Sequence, residues 1–174
     1  MNKIIFTEEF CQPENLHPFT LTRQIQDIRV GILTIREKWE KYLGSTTTTL
    51  TEEYLSDKYP MVELEENVMI NASYLPNENL VEIISNLKTN QAVFKDDAVI
   101  AFFTNDSQEE VDFDQYEIID FTGDCLTVEH TWDIFSKNGD AIKSDFELVT
   151  KGRKSLALRW KSSRQKKFCA ITRS

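Results

Sequence analysis

Residues 18–29, PFTLTRQIQDIR, bring two hydroxyls (Thr20 and Thr22) and two guanidinium groups (Arg23 and Arg29) together in one short stretch. A guanidinium is a planar fork of donors that suits phosphate oxygens through paired, charge-assisted hydrogen bonds. The hydroxyls could join such a cradle, or bond the local backbone instead. Arg29 could equally pair with a neighbouring surface carboxylate. Asn71, closing a short apolar run, could touch a base, a ribose or a cation through its carbonyl, or fill a turn. Thr20, Thr22, Arg23, Arg29 and Asn71 are therefore the candidate binding residues, and the chemistry they suit is phosphate recognition. No side chain stands out as catalytic and no metal-ligand set is spaced as one.

Other suggestive groups have plainer readings. Asp96-Asp97 sits between two apolar runs and suits a turn better than a metal site. The acidic stretch 105–115 matches no cation-loop spacing and reads as a solvated loop. Cys11, Cys125 and Cys169 are isolated, without a Cys-x-x-Cys pair, so neither a disulfide framework nor a zinc site is expected. With no signal peptide and no long apolar run, a reducing cytoplasm is the expected compartment and no membrane partner is expected. His17 and His130 are the only histidines and support no serine-type triad.

The elements that must hold the candidate residues follow from periodicity. Lys3 to Thr7 reads as a strand. From Asp27 as N-cap, Ile28, Ile32, Ile35, Trp39 and Tyr42 recur at helical steps up to Gly44, with Arg29, Arg36, Glu37, Lys38, Glu40 and Lys41 on the opposite face. Such a loop, beyond a strand's carboxyl end and ahead of a helix, is where α/β proteins commonly hold phosphate. Thr46 to Thr51 and Val68 to Ala72 read as strands, with a short helical turn over 52–58. Asn77 caps a helix whose apolar face is Leu80, Ile83, Ile84 and Leu87, residues 92–103 form a hairpin, and 116–121 another strand. A last helix starts near Thr131 and keeps Trp132, Phe135, Ile142, Phe146 and Val149 on one stripe with Gly139.

The 174 residues, 40% hydrophobic and 28% charged, suit one domain with a proper core. Charge is unevenly spread. Residues 1–150 carry 29 acidic and 11 basic groups, a net of −18, whereas 151–174 carry nine basic groups and no acid. An acidic body repels nucleic acid, which counts against a nucleic-acid partner; RNA binding by the tail, with Trp160 stacking on bases, is the rival to that reading.

The run PFTLTR at 18–23, followed by IRVGILTIREKWE at 28–40, resembles the N-terminal part of a family of sugar nucleotidyltransferases, themselves similar to the uridylyltransferase half of bifunctional N-acetylglucosamine-1-phosphate uridylyltransferases. VMINASYLP at 68–76, WDIF at 132–135 and SDFELVTKGR at 144–153 agree with it. The resemblance spans residues 1–154 as a nucleotidyltransferase-like domain and leaves 155–174 as a basic tail outside the core. It implies a Rossmann-like α/β fold, a mixed, mostly parallel sheet flanked by helices, that binds a nucleoside triphosphate and a sugar 1-phosphate. The sugar phosphate attacks the α-phosphate and pyrophosphate leaves, with Mg²⁺ as cofactor if the domain is active.

Several positions depart from what the resemblance implies. The Gly-rich phosphate loop is replaced by Phe6-Thr7-Glu8-Glu9-Phe10, Gln24 and Ile25 stand in the Pro-Lys positions, and neutral Asn71-Ala72 stands for a metal-binding Gly-Asp. Two glutamates there would repel a triphosphate. The hexapeptide-repeat β-helix that follows in such relatives is missing, and the tail reads as a lost frame or a truncation. The expectation is a sugar nucleotidyltransferase domain, degenerate in places, the alternative being a non-catalytic nucleotide-sugar-binding or scaffold module of a larger acyltransferase-like protein.

Overall fold

The computed structural model describes residues 3–50, 58, 66–105 and 111–153. The short helical turn expected over 52–58, the middle of the acidic stretch and the basic tail with Trp160 and Cys169 lie outside the described residues, apart from Lys58 in a turn. Six strands form one sheet: β1 (Lys3–Thr7), β2 (Thr47–Leu50), β3 (Asn67–Asn71), β4 (Gln91–Lys95), β5 (Ala98–Thr104) and β6 (Glu117–Asp120), in the spatial order β2-β1-β3-β5-β4-β6. Pairs β1/β2, β1/β3 and β4/β6 are parallel, and β5 alone runs against the rest. With the helices, this is the mixed, mostly parallel α/β sheet that the sequence led one to expect.

Strands β1 and β3 are apolar on both faces because both faces are covered. Ile4, Phe6, Val68 and Ile70 point into the larger core beneath the helices, which Leu16, Ile35, Trp39, Leu80 and Ile100 complete. Ile5, Met69, Ala92 and Phe102 point the other way, into a smaller layer closed by aromatic rings. There Phe113 meets Phe94 edge-on at 5.3 Å and Phe102 edge-on at 5.5 Å. That is the geometry aromatic quadrupoles prefer. Asp96 and Asp97 form the β4–β5 turn with φ of 49° and 66°. This is the left-handed pair that a tight hairpin needs and that Asp tolerates.

The helices are α1 (Ile35–Leu43), α2 (Glu78–Ser85), α3 (Asp133–Ser136) and α4 (Asn138–Thr150). Asn77 caps α2 as the sequence pattern indicates, its side chain accepting from the Leu80 N–H at 2.8 Å. Among the described residues, no helix is long and apolar enough to cross a membrane.

The first helix starts later than the apolar stripe suggests. Asp27 closes a 3-10 turn and accepts from Arg36 Nε at 2.7 Å rather than capping a helix. Gly31 then adopts φ +87°, a conformation that stops any helix, and Arg29 bridges to Thr34 across the resulting loop. The true N-cap is Thr34, in a reciprocal capping box with Glu37: the Glu37 N–H reaches Thr34 Oγ1 at 3.1 Å and the Thr34 N–H reaches Glu37 Oε2 at 2.7 Å. Ile28 and Ile35 are still buried as the stripe implies, since the Ile35 N–H returns to the Ile28 carbonyl and folds the loop onto the core. Gly44 ends α1 in the left-handed conformation.

Lys38, expected on the polar face, is buried. It pairs with Asp145 of α4, and both side chains are almost completely removed from solvent. Burial pulls the Lys38 ammonium below its ordinary range, and Asp145 opposes that shift. The other carboxylate oxygen of Asp145 accepts the N–H groups of Ile32 and Leu33 at 2.8 and 3.1 Å. Asn138 Oδ1 accepts the Gly31 N–H at 2.8 Å. A Cβ on Gly31 would lie 2.5 Å from the Asp145 carboxylate and 2.9 Å from the Ala141 backbone.

The consequence is measurable by urea unfolding. Asp145→Ala strands a buried ammonium and two backbone donors, and is expected to lower stability by about 3–5 kcal/mol. Gly31→Ala should cost more than about 1 kcal/mol from φ alone, with the Asp145 clash adding to it.

Candidate functional site

The chain leaves β1 for β2 on one side and returns to β3 on the other, so a crevice forms outside the carboxyl ends of β1 and β3. Open α/β sheets bind ligands at such a switch point. Here it is built from Thr7 to Cys11 after β1 and Asn71 to Ser73 after β3, tied together by the Ala72 N–H to the Thr7 carbonyl at 3.0 Å.

The residues in the crevice are largely spent on one another. Asn71 Oδ1 accepts the Cys11 thiol at 3.1 Å and the Ser73 N–H at 3.0 Å, and Asn71 Nδ2 donates to the Val99 carbonyl at 2.9 Å. Ser73 Oγ donates to Cys11 Sγ at 3.1 Å. Burial, the largest influence, pushes the Cys11 thiol up to about 11 against the lowering effect of Ser73. Cys11 is thus a protonated hydrogen-bonding group, and its place between two strand ends gives it a role that the sequence of an isolated thiol does not reveal.

Glu8 does not point a charge at an incoming phosphate. Its Oε1 accepts the Ile25 N–H at 2.6 Å, which pins the loop over residues 13–27 across the end of β1. Thr20 is buried, and its hydroxyl donates to the Pro13 carbonyl at 2.6 Å, bracing the same loop from within. Thr22 and Arg23 lie on its outer rim, exposed, with the Thr22 carbonyl accepting from Lys58 Nζ at 3.3 Å. Arg23 has no hydrogen-bond or ion-pair partner among the described residues. Arg29 lies apart from them on the Gly31 loop, bonded to the Ile32 carbonyl and 3.7 Å from the Glu37 carboxylate. The fold thus brings Thr20, Thr22 and Arg23 onto one loop, sets Asn71 in the crevice below, and commits Arg29 to bracing the start of α1.

Under this loop lies a polar layer that periodicity does not reveal. Arg36, expected on a solvated face, stacks over the Phe6 ring at 5.8 Å. It also reaches Asp27, and donates to Gln24 Oε1 and Thr49 Oγ1, each at 2.9 Å. Gln26 Nε2 donates to Gln24 Oε1 at 2.6 Å and to Thr49 Oγ1 at 2.8 Å. Gln24 Nε2 and Gln26 Oε1 are buried with no partner among the described residues. Each such group costs about 1–3 kcal/mol. The only sequence signal for this layer is the run of polar residues at 24, 26 and 27 between apolar neighbours.

A divalent cation fits this crevice poorly. Asn71 is neutral and its carbonyl oxygen already accepts two hydrogen bonds, and among the described residues no three His, Cys, Asp or Glu side chains converge as a ligand set. Asn71→Asp would set a carboxylate against the Val99 carbonyl and lose that hydrogen bond. It is expected to destabilise the fold by about 1–3 kcal/mol rather than create a metal site, as a thermal melt with and without Mg²⁺ would show. Cys11 should resist alkylation at about pH 8 until the chain is unfolded. Because the folded thiol keeps its proton up to about 11 and an ordinary thiol only to 9.0, the folded state binds more proton between these values. Its stabilising contribution is complete below pH 9.0 and declines as pH rises toward about 11. Cys11→Ala should flatten that decline in urea titrations across the same range.

No curated protein matches the chain. A family model described as sugar nucleotidyl transferase matches residues 4–154, which takes in all but the first residue of the described strands and helices, and the loop carrying Thr20 to Arg29. On that match the chain belongs to the sugar nucleotidyl transferase family.

Proposed function

We propose that this chain binds the phosphates of a nucleotide or nucleotide sugar at the rim of the β1–β3 crevice and does not carry the transfer of a nucleotidyl group. The observation that carries this reading is the self-satisfied crevice: the Asn71, Cys11 and Ser73 side chains bond one another, and the Glu8 carboxylate bonds the Ile25 N–H. In-line displacement at an α-phosphate needs cationic groups or a metal aimed at the charge that develops. The charged side chains of the crevice, Glu8 and Glu9, are anionic, and among the described residues no three ligating side chains converge there, so it supplies neither.

Binding requires less. Arg23 offers an unspent guanidinium fork on an exposed loop, and exposed Thr22 stands beside it. The loop is held by Glu8 and by the Thr20 hydroxyl, so a ligand would meet a framework already ordered, which lowers the entropic cost of binding. Membership of the sugar nucleotidyl transferase family supports a nucleotide or nucleotide sugar as the ligand class. The chain then acts as a recognition module rather than as the enzyme that makes the nucleotide sugar.

Titration calorimetry with uridine, thymidine, cytidine and guanosine triphosphates and their nucleotide sugars, with and without Mg²⁺, tests this directly. The expected result is saturable binding of one nucleotide class at micromolar to millimolar concentration, weakened about tenfold or more by Arg23→Ala and little changed by Mg²⁺. Pyrophosphate release with a sugar 1-phosphate would overturn the non-catalytic reading, and absence of binding at millimolar ligand would overturn the binding one.

A further inference from the structure

The stripe on the last helical segment faces outward. Trp132 is 61% exposed, Phe135 73%, Ile142 42% and Phe146 60%, while the buried residues of α4 are Ala141 and Asp145. Helices α3 and α4 are separated at Lys137, where the ladder of helical hydrogen bonds is interrupted while the backbone stays right-handed: the Lys137 N–H bonds the Asp133 carbonyl and the Ala141 N–H bonds the Lys137 carbonyl, each at 3.0 Å. Trp132, Phe135, Gly139, Ile142, Phe146 and Val149 recur at steps of three, four, three, four and three across the two helices, and all but half-exposed Val149 are exposed. That is the narrow seam of a helix that pairs with another helix.

We propose that this seam pairs with the same seam of a second copy, the two helices antiparallel about a twofold axis that passes between Asp140 and Ala141. The axis sets Trp132 opposite Val149 of the second copy, Phe135 opposite Phe146, and Gly139 opposite Ile142. Every apolar position meets an apolar one, as an isologous interface requires. The smallest member meets a branched one at the centre, and Gly139 has open space where a Cβ would stand, a notch for the second copy's Ile142.

The area is sufficient. With about 150–250 Å² for each aromatic side chain, the exposed fractions amount to about 400–500 Å² of apolar surface per copy. Two copies with their polar flanks then bury about 1,000 Å², the lower bound of a specific interface. A patch of about 400–500 Å² matches the largest apolar patch of an ordinary monomer, and such patches are often functional.

Sedimentation equilibrium on the full chain tests the proposal, with circular dichroism as the control for folding. The expected species is a dimer of twice the 20.3 kDa chain mass. It should hold or tighten in about 0.5 M NaCl, since salt screens the repulsion between two chains of net charge −9 and leaves an apolar seam intact. Phe135→Glu and Phe146→Glu change exposed side chains and should leave the folded spectrum unchanged while raising the dissociation constant about tenfold or more. A chain that stays monomeric at about 100 µM, well above an ordinary weak dimer constant, overturns the proposal. So does a dimer that survives both substitutions, which would place association on another surface.

Discussion

The carboxylate of Asp145 is the constraint on which the arrangement around the site depends. One of its oxygens holds the Lys38 ammonium of α1 and the other takes two backbone N–H groups of the Gly31 loop. Removing two charges from water is costly, and the attraction between them repays that only with good geometry and further hydrogen bonds. Here both are present. The result is a junction among α4, the Gly31 loop and α1 that admits one arrangement, and the requirement for glycine at 31 is the same constraint seen from the loop side, where any side chain would collide with Asp145.

From that junction the candidate site follows in order. Fixing the loop before α1 fixes Arg36, and Arg36 organises Gln24, Thr49 and Asp27 over the Phe6 ring. Glu8 then ties that layer to the end of β1 through Ile25. A glutamate that looks hostile to phosphate in the sequence is a brace in the fold, and Arg23 at the rim has no partner among the described residues. The α/β framework of this sugar nucleotidyl transferase family member thus carries polar groups at its switch point that hold one another.

Helix α4 shows how one element can serve two faces with unlike chemistry. Its inward side is small and ionic, Ala141 and Asp145, so it grips the body by specific bonds rather than by apolar area. The large apolar side chains of the segment are on the outside, with Trp132 stacked on His130 at 4.3 Å. A helix held by a buried ion pair can present an apolar seam outward without losing its seat.

The local grammar of the chain was legible. Short apolar runs marked the strands expected at 3–7 and 68–72 and β-branching that expected at 46–51, Asn77 announced α2, and Asp96-Asp97 announced the hairpin, because each is set by neighbours within a few positions. The α/β class and the loop carrying Thr20 to Arg23 followed from the same signals. The start of α1 was misplaced because Ile28 and Ile35 fit a helical period and yet are buried from two sides of a loop that turns at Gly31. What only the tertiary structure decided was which charges are buried and which apolar groups are not. Lys38 and Arg36 look like surface residues, and Phe135 and Phe146 look like core, until residues 107 and 113 positions apart come together at Asp145. Periodicity reports that a helix has two faces. Which of them turns inward depends on partners distant in the chain, and that information exists only once the sheet and helices have packed.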